Sequence, residues 1–274
     1  MSSENKKGTA LITGASSGIG AIYADRLARR GHDLVLVARN QKRLEALSDR
    51  LASGTSRSME IIVADLTRNA DLERVEAKLR TDSRITMLVN NAGFGAATPL
   101  LASDVEKMDE MVAVNVRALT RLTYAAVPGL VARGTGAIIN NASIVAIAPE
   151  LLNGVYGASK AYVLAFTQSL QHELASKGIR VQAVLPGATA TDFWNVVGMP
   201  IENLPPHWVM SAEDLVDAAL AGFDLGEVVT IPALPDSADW QAFETARAAM
   251  GPKLSNSKPA QRYRIVAKGA AVAS

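Results

Sequence analysis

The chain has 274 residues, 49% of them hydrophobic and 20% charged, which supplies a sizeable core and argues against wholesale disorder. Its 28 basic and 27 acidic side chains nearly cancel, so it lacks the charge excess of a nucleic-acid binder. The absence of cysteine excludes disulfides, a thiol nucleophile and any thiolate metal site. The opening residues, Met1 to Gly8, are polar and unlike a secretion signal, and no run approaches ~18 apolar residues. A cytoplasmic location with no membrane partner is the expectation.

In chain order, short β-branched apolar runs occur at Thr9–Thr13, then at 34–38, 61–64, 87–90, 137–140, 181–185 and 228–231. Most are apolar at successive positions, as strands buried on both faces of a parallel sheet are. Charge-bearing stretches with helical spacing separate them. Leu44, Leu47 and Leu51 lie among Glu45, Asp49 and Arg50, and Leu72, Val75 and Leu79 lie among Glu73, Arg74 and Lys78. The alternation predicts an α/β architecture, a Rossmann-type doubly wound parallel sheet of about seven strands with helices on both faces.

Two places break the rhythm. Residues 186–210 follow a strand and are rich in proline, glycine and aromatics, so 188–212 reads as a lid or substrate loop. After Pro232 the pattern supports one helix over 238–250, and a Ser/Asn/Lys stretch from Gly251 onward reads as poorly ordered. The predicted organisation is a catalytic domain over 1–232 and a C-terminal extension over 233–274. In that extension Arg262, Tyr263 and Arg264 either dock on a neighbouring subunit or trail in solvent.

The turn after the first strand carries Gly14, Ser16, Ser17, Gly18, Ile19 and Gly20 and opens a helix running to about Arg30. Gly14 permits a sharp exit from the strand, and Gly18 lets backbone approach a pyrophosphate. Gly20 permits close packing of helix on sheet, while free N–H groups at the helix start face an anion. A strand, such a turn and a helix together indicate nucleotide binding.

The second strand should end near the adenine ribose, where a carboxylate would bind a 2′-hydroxyl. Here it ends in Ala38, Arg39 and Asn40, and Asp33 sits at its wrong end. A guanidinium matches a phosphate and stays charged. Arg39 therefore points to NADP(H) in preference to NAD(H).

Tyr156 and Lys160 are four apart in a stretch that reads as helix, so they share one face. A phenol titrates near ~10, and an adjacent ammonium would lower that value toward neutrality. The pair suits proton exchange with a carbonyl or alcohol.

Taken together, these motifs resemble the classical short-chain dehydrogenase/reductase family, in its NADP(H)-preferring branch. The landmarks that carry the resemblance are Thr13, Gly14, Gly18 and Gly20, then Asp65 and Leu66, then Asn90, Asn91, Ala92 and Gly93. Asn115, Ser143, Tyr156 and Lys160 follow, and Pro186, Gly187 and Thr191 complete the series, all in order within residues 7–231. The resemblance implies hydride transfer between a nicotinamide and a ketone or secondary alcohol. Tyr156 would exchange the proton, Ser143 would polarise the carbonyl, and Lys160 would hold the nicotinamide ribose and lower the tyrosine pKa. Asn115 would hold a water in a proton relay. Asp65 and Leu66 would contact adenine, Asn91, Ala92 and Gly93 the adenine-side ribose and phosphates, and Pro186, Gly187 and Thr191 the nicotinamide side. It also implies a homodimer or homotetramer packed through helices near 105–131 and 153–177.

His32, His172 and His207 show no metal-ligand spacing, so no metal is expected. Phe193, Trp194, His207 and Trp208 are candidate substrate contacts in the lid. Their aromatic character with no charge cluster indicates an apolar or aromatic carbonyl substrate. Two alternatives are an NAD(H)-dependent alcohol or steroid-type dehydrogenase and, more distantly, an NADPH-sensing regulator without turnover.

Overall fold

Thr9–Thr13 (β1) is buried at every position, as its unbroken apolar character requires. Further strands lie at Asp33–Ala38 (β2), Met59–Val63 (β3), Ile85–Asn90 (β4), Gly136–Asn141 (β5), Ile179–Val184 (β6) and Val229–Thr230 (β7). They belong to a computed structural model that describes residues 7–263. Among these residues the seven strands form one parallel sheet in the order β3-β2-β1-β4-β5-β6-β7. In the central register Leu11 pairs with Val35 on one side and Leu88 on the other. The chain runs outward from β1 to β3, then crosses back to place β4 against β1. That reversal opens a crevice at the carboxyl ends of β1 and β4, where a doubly wound sheet binds its ligand.

Alternate residues of each strand face opposite layers. Ile12, Leu36 and Val89 pack with Tyr23, Leu27, Leu44, Leu215 and Phe223. Those side chains belong to helices Gly18–Arg29 (α1), Gln41–Thr55 (α2) and Ala212–Leu225, which is numbered α8 below. On the other face Leu11, Val35, Leu88 and Ile138 pack with Leu72, Val75, Leu122, Leu130 and Leu170. These come from Asn69–Thr81 (α3), Leu119–Arg133 (α5) and Gly154–Leu174 (α6). Val105–Val112 (α4) precedes α5, and Phe193–Val197 (α7) follows β6. Each fully buried leucine of these layers contributes roughly 1.5–3 kcal/mol.

One strand is less buried than expected. β3 was expected at 61–64 and buried, but it starts two residues earlier and is only partly covered, with Val63 exposed. As the outermost strand it has a hydrogen-bonding neighbour on one side only.

The chain divides into two compact units, one ending at Ala233 and one beginning at Leu234. In the second, Ser237–Met250 (α9) carries a stacked Trp240–Phe243 pair at 5.2 Å. The stretch after it, expected to lack regular structure, has single 3-10 turns at Gly251–Lys253 and Gln261–Tyr263. Arg264 and the rest of the tail, like residues 1–6, lie outside the described residues. Among the described residues no helix is long and apolar enough to cross a membrane.

Candidate active site

The glycine turn folds as its residues require. Gly14 and Gly18 both have positive φ, +66° and +51°. A Cβ on Gly20 would lie 2.2 Å from the Gly14 carbonyl oxygen, so only glycine lets α1 start this close to the turn. Ser17 caps α1 without a side-chain hydrogen bond, and the first turn holds no acidic side chain. Its leading N–H groups thus face the crevice with no internal anion, the arrangement that receives a phosphate. Ser16, Ser17 and Ile19 are half-buried in the same turn, with Ile19 packed on the core.

Asn91 locks this turn to the end of β4. Its side-chain amide donates to the carbonyls of Thr13 (3.0 Å) and Gly14 (3.3 Å). The Thr13 hydroxyl oxygen accepts from the backbone N–H groups of Asn91 and Ala92, both at 3.0 Å. Asn141, at the end of β5, donates to Asn91 Oδ1 at 3.1 Å, and Lys160 Nζ donates to the Asn141 carbonyl at 2.8 Å. Gly93 lies between functional groups, since a Cβ there would stand 2.8 Å from Asn115 Oδ1 and 3.5 Å from Lys160 Nζ.

Asn115 occupies a π-helical segment, Ala113–Ala118, between α4 and α5. The helices that the resemblance implied near 105–131 did not distinguish this segment. The widened turn directs Asn115 into the site, where its amide donates to Phe94 O (2.9 Å) and Ser159 Oγ (3.0 Å). Its Oδ1 accepts from Phe94 N at 3.2 Å. The side chain thereby clamps the backbone that follows Gly93.

Ser143 stands just past β5 and Pro186 just past β6. Ser143 Oγ donates to Pro186 O at 3.4 Å, and Ile144 N donates to the same carbonyl at 3.0 Å. Gly187 and Thr191 continue that segment, and the Thr191 methyl carbon would lie 3.2 Å from a Cβ on Gly18. The segment after β6 and the glycine turn therefore meet across the crevice.

Tyr156 and Lys160 share one face of α6, and both are buried. Burial pushes the Tyr156 phenol up to about 12, with the Ser143 hydroxyl pulling the other way. Burial also brings Lys160 down to about 8. This corrects the expectation of a lowered phenol pKa. Lys160 Nζ lies 5.8 Å from the Tyr156 ring centroid and is engaged by Asn141 O, so its charge does not outweigh desolvation of the phenol.

Arg39 is exposed just past β2 and lines an open groove with Asn40, Gln41, Lys42 and Glu45. Among the described residues its guanidinium has no hydrogen-bonding partner. Asp65 is half-buried and caps its own turn through Thr67, at 3.0 Å to the amide and 2.8 Å to the hydroxyl, and Leu66 is buried. The groove is remote in sequence from Tyr156, whose own flank is filled by an aromatic ring. Phe193 packs on Tyr156 with centroids 5.8 Å apart, and Gly95 makes room for it, since a Cβ there would lie 2.7 Å from Phe193 Cζ.

The other lid aromatics diverge. Trp194 turns inward and donates to Thr189 O at 2.9 Å. His207 and Trp208 are exposed and lie edge-on to each other at 6.0 Å. The lid's base is fastened by Met210 N to Ala188 O and Ala190 N to Met210 O, each 2.9 Å. Among the described residues no cluster of His, Cys, Asp or Glu is arranged to hold a metal.

Sequence reading did not single out Phe94, Gly95, Asn141, Ser159 or the Arg43–Asp192 ion pair at 3.0 Å. For Gly95 a signal was visible in the second glycine two residues beyond Gly93.

The pattern that defines short chain dehydrogenases matches residues 8–199. The chain belongs to the short-chain dehydrogenase/reductase family. It is an oxidoreductase acting on CH–OH and C=O groups, as this family's members are. The fold is similar to that of a short-chain dehydrogenase from Sphingobium yanoikuyae in complex with NADPH. The two are 49% identical with a TM-score of 0.91, over 94% of this chain and 100% of the other. It is also similar to the bulky-bulky ketone specific alcohol dehydrogenase from Comamonas testosteroni, 44% identical with a TM-score of 0.87, over 94% and 99% of the two chains. Very-long-chain 3-oxoacyl-CoA reductase of Bos taurus is 36% identical over 186 residues, 66% of this chain and 59% of that protein.

Proposed function

We propose that this short-chain dehydrogenase/reductase is an NADP(H)-dependent ketone reductase, reversible toward the secondary alcohol, with Tyr156 as its proton donor and acceptor. The observation that carries the reading is the convergence of Ser143, Tyr156 and Lys160 past the carboxyl end of β5, buried beside a turn built to receive a phosphate. The glycine turn with Asn91, Ala92 and Gly93 would hold the cofactor's phosphates and ribose, Asp65 and Leu66 its adenine, and Pro186, Gly187 and Thr191 its nicotinamide end. The bound nicotinamide supplies or accepts the hydride. Arg39, without a hydrogen-bonding partner among the described residues, would take a 2′-phosphate, and the similarity to a short-chain dehydrogenase in complex with NADPH supports that assignment.

In reduction, Ser143 donates a hydrogen bond to the substrate oxygen, and Tyr156 Oη delivers the proton as negative charge develops there. A phenol held at about 12 is fully protonated at neutral pH, the form an acid must start from. Lys160, held near Asn141 O, then sits where its ammonium stabilises the phenolate left behind. Asn115 positions Gly93 and Phe94 beside this group. In alcohol oxidation Tyr156 acts from its phenolate form, its own proton already released, and takes the alcohol's proton at Oη.

The aromatic wall at Phe193 supports an apolar or aryl ketone with substituents on both sides, and the similarity to a bulky-ketone alcohol dehydrogenase supports the same class. We place the catalytic domain in 1–232 and the extension in 233–274, with dimers or tetramers built on the faces near 105–131 and 153–177. The test is a ketone panel with NADPH oxidation followed by absorbance. Turnover of aryl and alkyl ketones is expected. NADPH binding without turnover on any ketone would favour a sensing role instead, and activity confined to sugar phosphates would overturn the substrate class.

A further inference from the structure

Three consecutive residues after β6 touch three parts of the site. Thr191 packs on Gly18 of the phosphate turn, its methyl carbon 3.2 Å from where a Cβ would stand. Asp192 Oδ2 accepts from Arg43 Nη1 at 3.0 Å, across 149 positions of sequence. Phe193 lies against the Tyr156 ring and over Gly95. Arg43 in turn belongs to the first turn of α2, where its backbone N–H is capped by Asn40 Oδ1 at 3.0 Å, within one turn of Arg39.

We propose that Arg43 and Asp192 are positioning residues that make substrate access respond to the cofactor's 2′-phosphate, through Phe193. The inference rests on the NADP(H) reading above. While Arg43 is paired with Asp192, α7 is tethered toward α2 and the Phe193 ring occupies the space beside Tyr156 that a bulky ketone substituent needs. A phosphate dianion at Arg39 is a stronger partner for Arg43 than one carboxylate, because it offers more charge and more acceptor oxygens. Arg43 then leaves Asp192, and Phe193 is free to swing from Tyr156. A cofactor lacking that phosphate leaves the tether in place. The ion pair is exposed on both sides, so its loss should shift the open population by about two- to fivefold.

The experiment compares KM for a bulky diaryl ketone and for acetone, each with NADPH and with NADH, alongside the dissociation constants of both cofactors. In the wild-type enzyme the bulky ketone should show a KM about two- to fivefold higher with NADH than with NADPH, while acetone shows no such difference. Asp192→Asn should lower the NADH value to the NADPH one and leave acetone and kcat unchanged. Phe193→Ala should remove the same difference without touching the ion pair. A bulky-ketone KM that falls equally with both cofactors in Asp192→Asn, or does not fall, would overturn the proposal while NADPH still binds more tightly. Equal affinity for NADPH and NADH would overturn the cofactor reading and this proposal with it.

Discussion

Lys160 Nζ lies 2.8 Å from the carbonyl oxygen of Asn141, and that contact is the first link between α6 and the glycine turn before α1. The Asn141 side chain donates to Asn91, whose own amide donates to Thr13 and Gly14. Two asparagines at the ends of adjacent strands thus hold α6 and the turn before α1 in fixed relation. A displacement of the glycine turn would be felt at Lys160 through the side chains of Asn91 and Asn141.

The buried ammonium has a stability consequence. Lys160 is lowered by burial from 10.5 to about 8, so the unfolded chain binds this proton between those values and the folded chain does not. Stability therefore rises with pH from about 8 to about 10.5, and the penalty is fully present below 8, on the order of 3 kcal/mol. Tyr156, whose pKa is raised, contributes stability below about 10 that is lost as pH climbs toward 12. Denaturant unfolding of Lys160→Met and wild type without cofactor cancels the tyrosine contribution. The variant should be the more stable at pH 7, with the gap closing by pH 10. A gap independent of pH would contradict the burial effect.

On the proposed NADP(H) reading, Arg39 sets cofactor choice. Charge-assisted hydrogen bonds contribute about 1.5–3 kcal/mol, so Arg39→Ala should weaken NADPH binding roughly 10- to 100-fold. NADH affinity should stay within about twofold, since no phosphate faces that position. Calorimetric titration of both cofactors checks this.

Gly20→Ala should damage the turn itself. The added methyl would stand 2.2 Å from the Gly14 carbonyl, and backbone must shift to admit it. A loss of about 1–3 kcal/mol in unfolding free energy is expected. NADPH binding should weaken as well. Thermal unfolding with and without NADPH reads both effects.

Much of this site was legible because its motifs are local. The phosphate turn, the Tyr156–Lys160 spacing and β1 all stand where residue order places them, since each is governed by neighbours within one turn or strand. Strand ends were less legible: Ile179 and Arg180 join β6 by pairing with Gly136 and Ala137, a partnership no local window contains. The π segment at Asn115 escaped notice because one extra residue barely disturbs apolar spacing. The Arg43–Asp192 pair and the Phe193–Gly95 contact depend on tertiary proximity. The phenol's pKa moved opposite to expectation for the same reason, since a four-residue spacing reveals proximity and not burial.

The most direct test of the account is Tyr156→Phe, assayed for ketone-dependent NADPH oxidation and, separately, for NADPH binding by calorimetry. Phe keeps the ring beside Phe193 and removes only the proton donor. Turnover should fall at least ~100-fold, the lower range for loss of a general acid, with the NADPH dissociation constant nearly unchanged. Undiminished turnover in a variant that binds NADPH normally would contradict the role assigned to Tyr156.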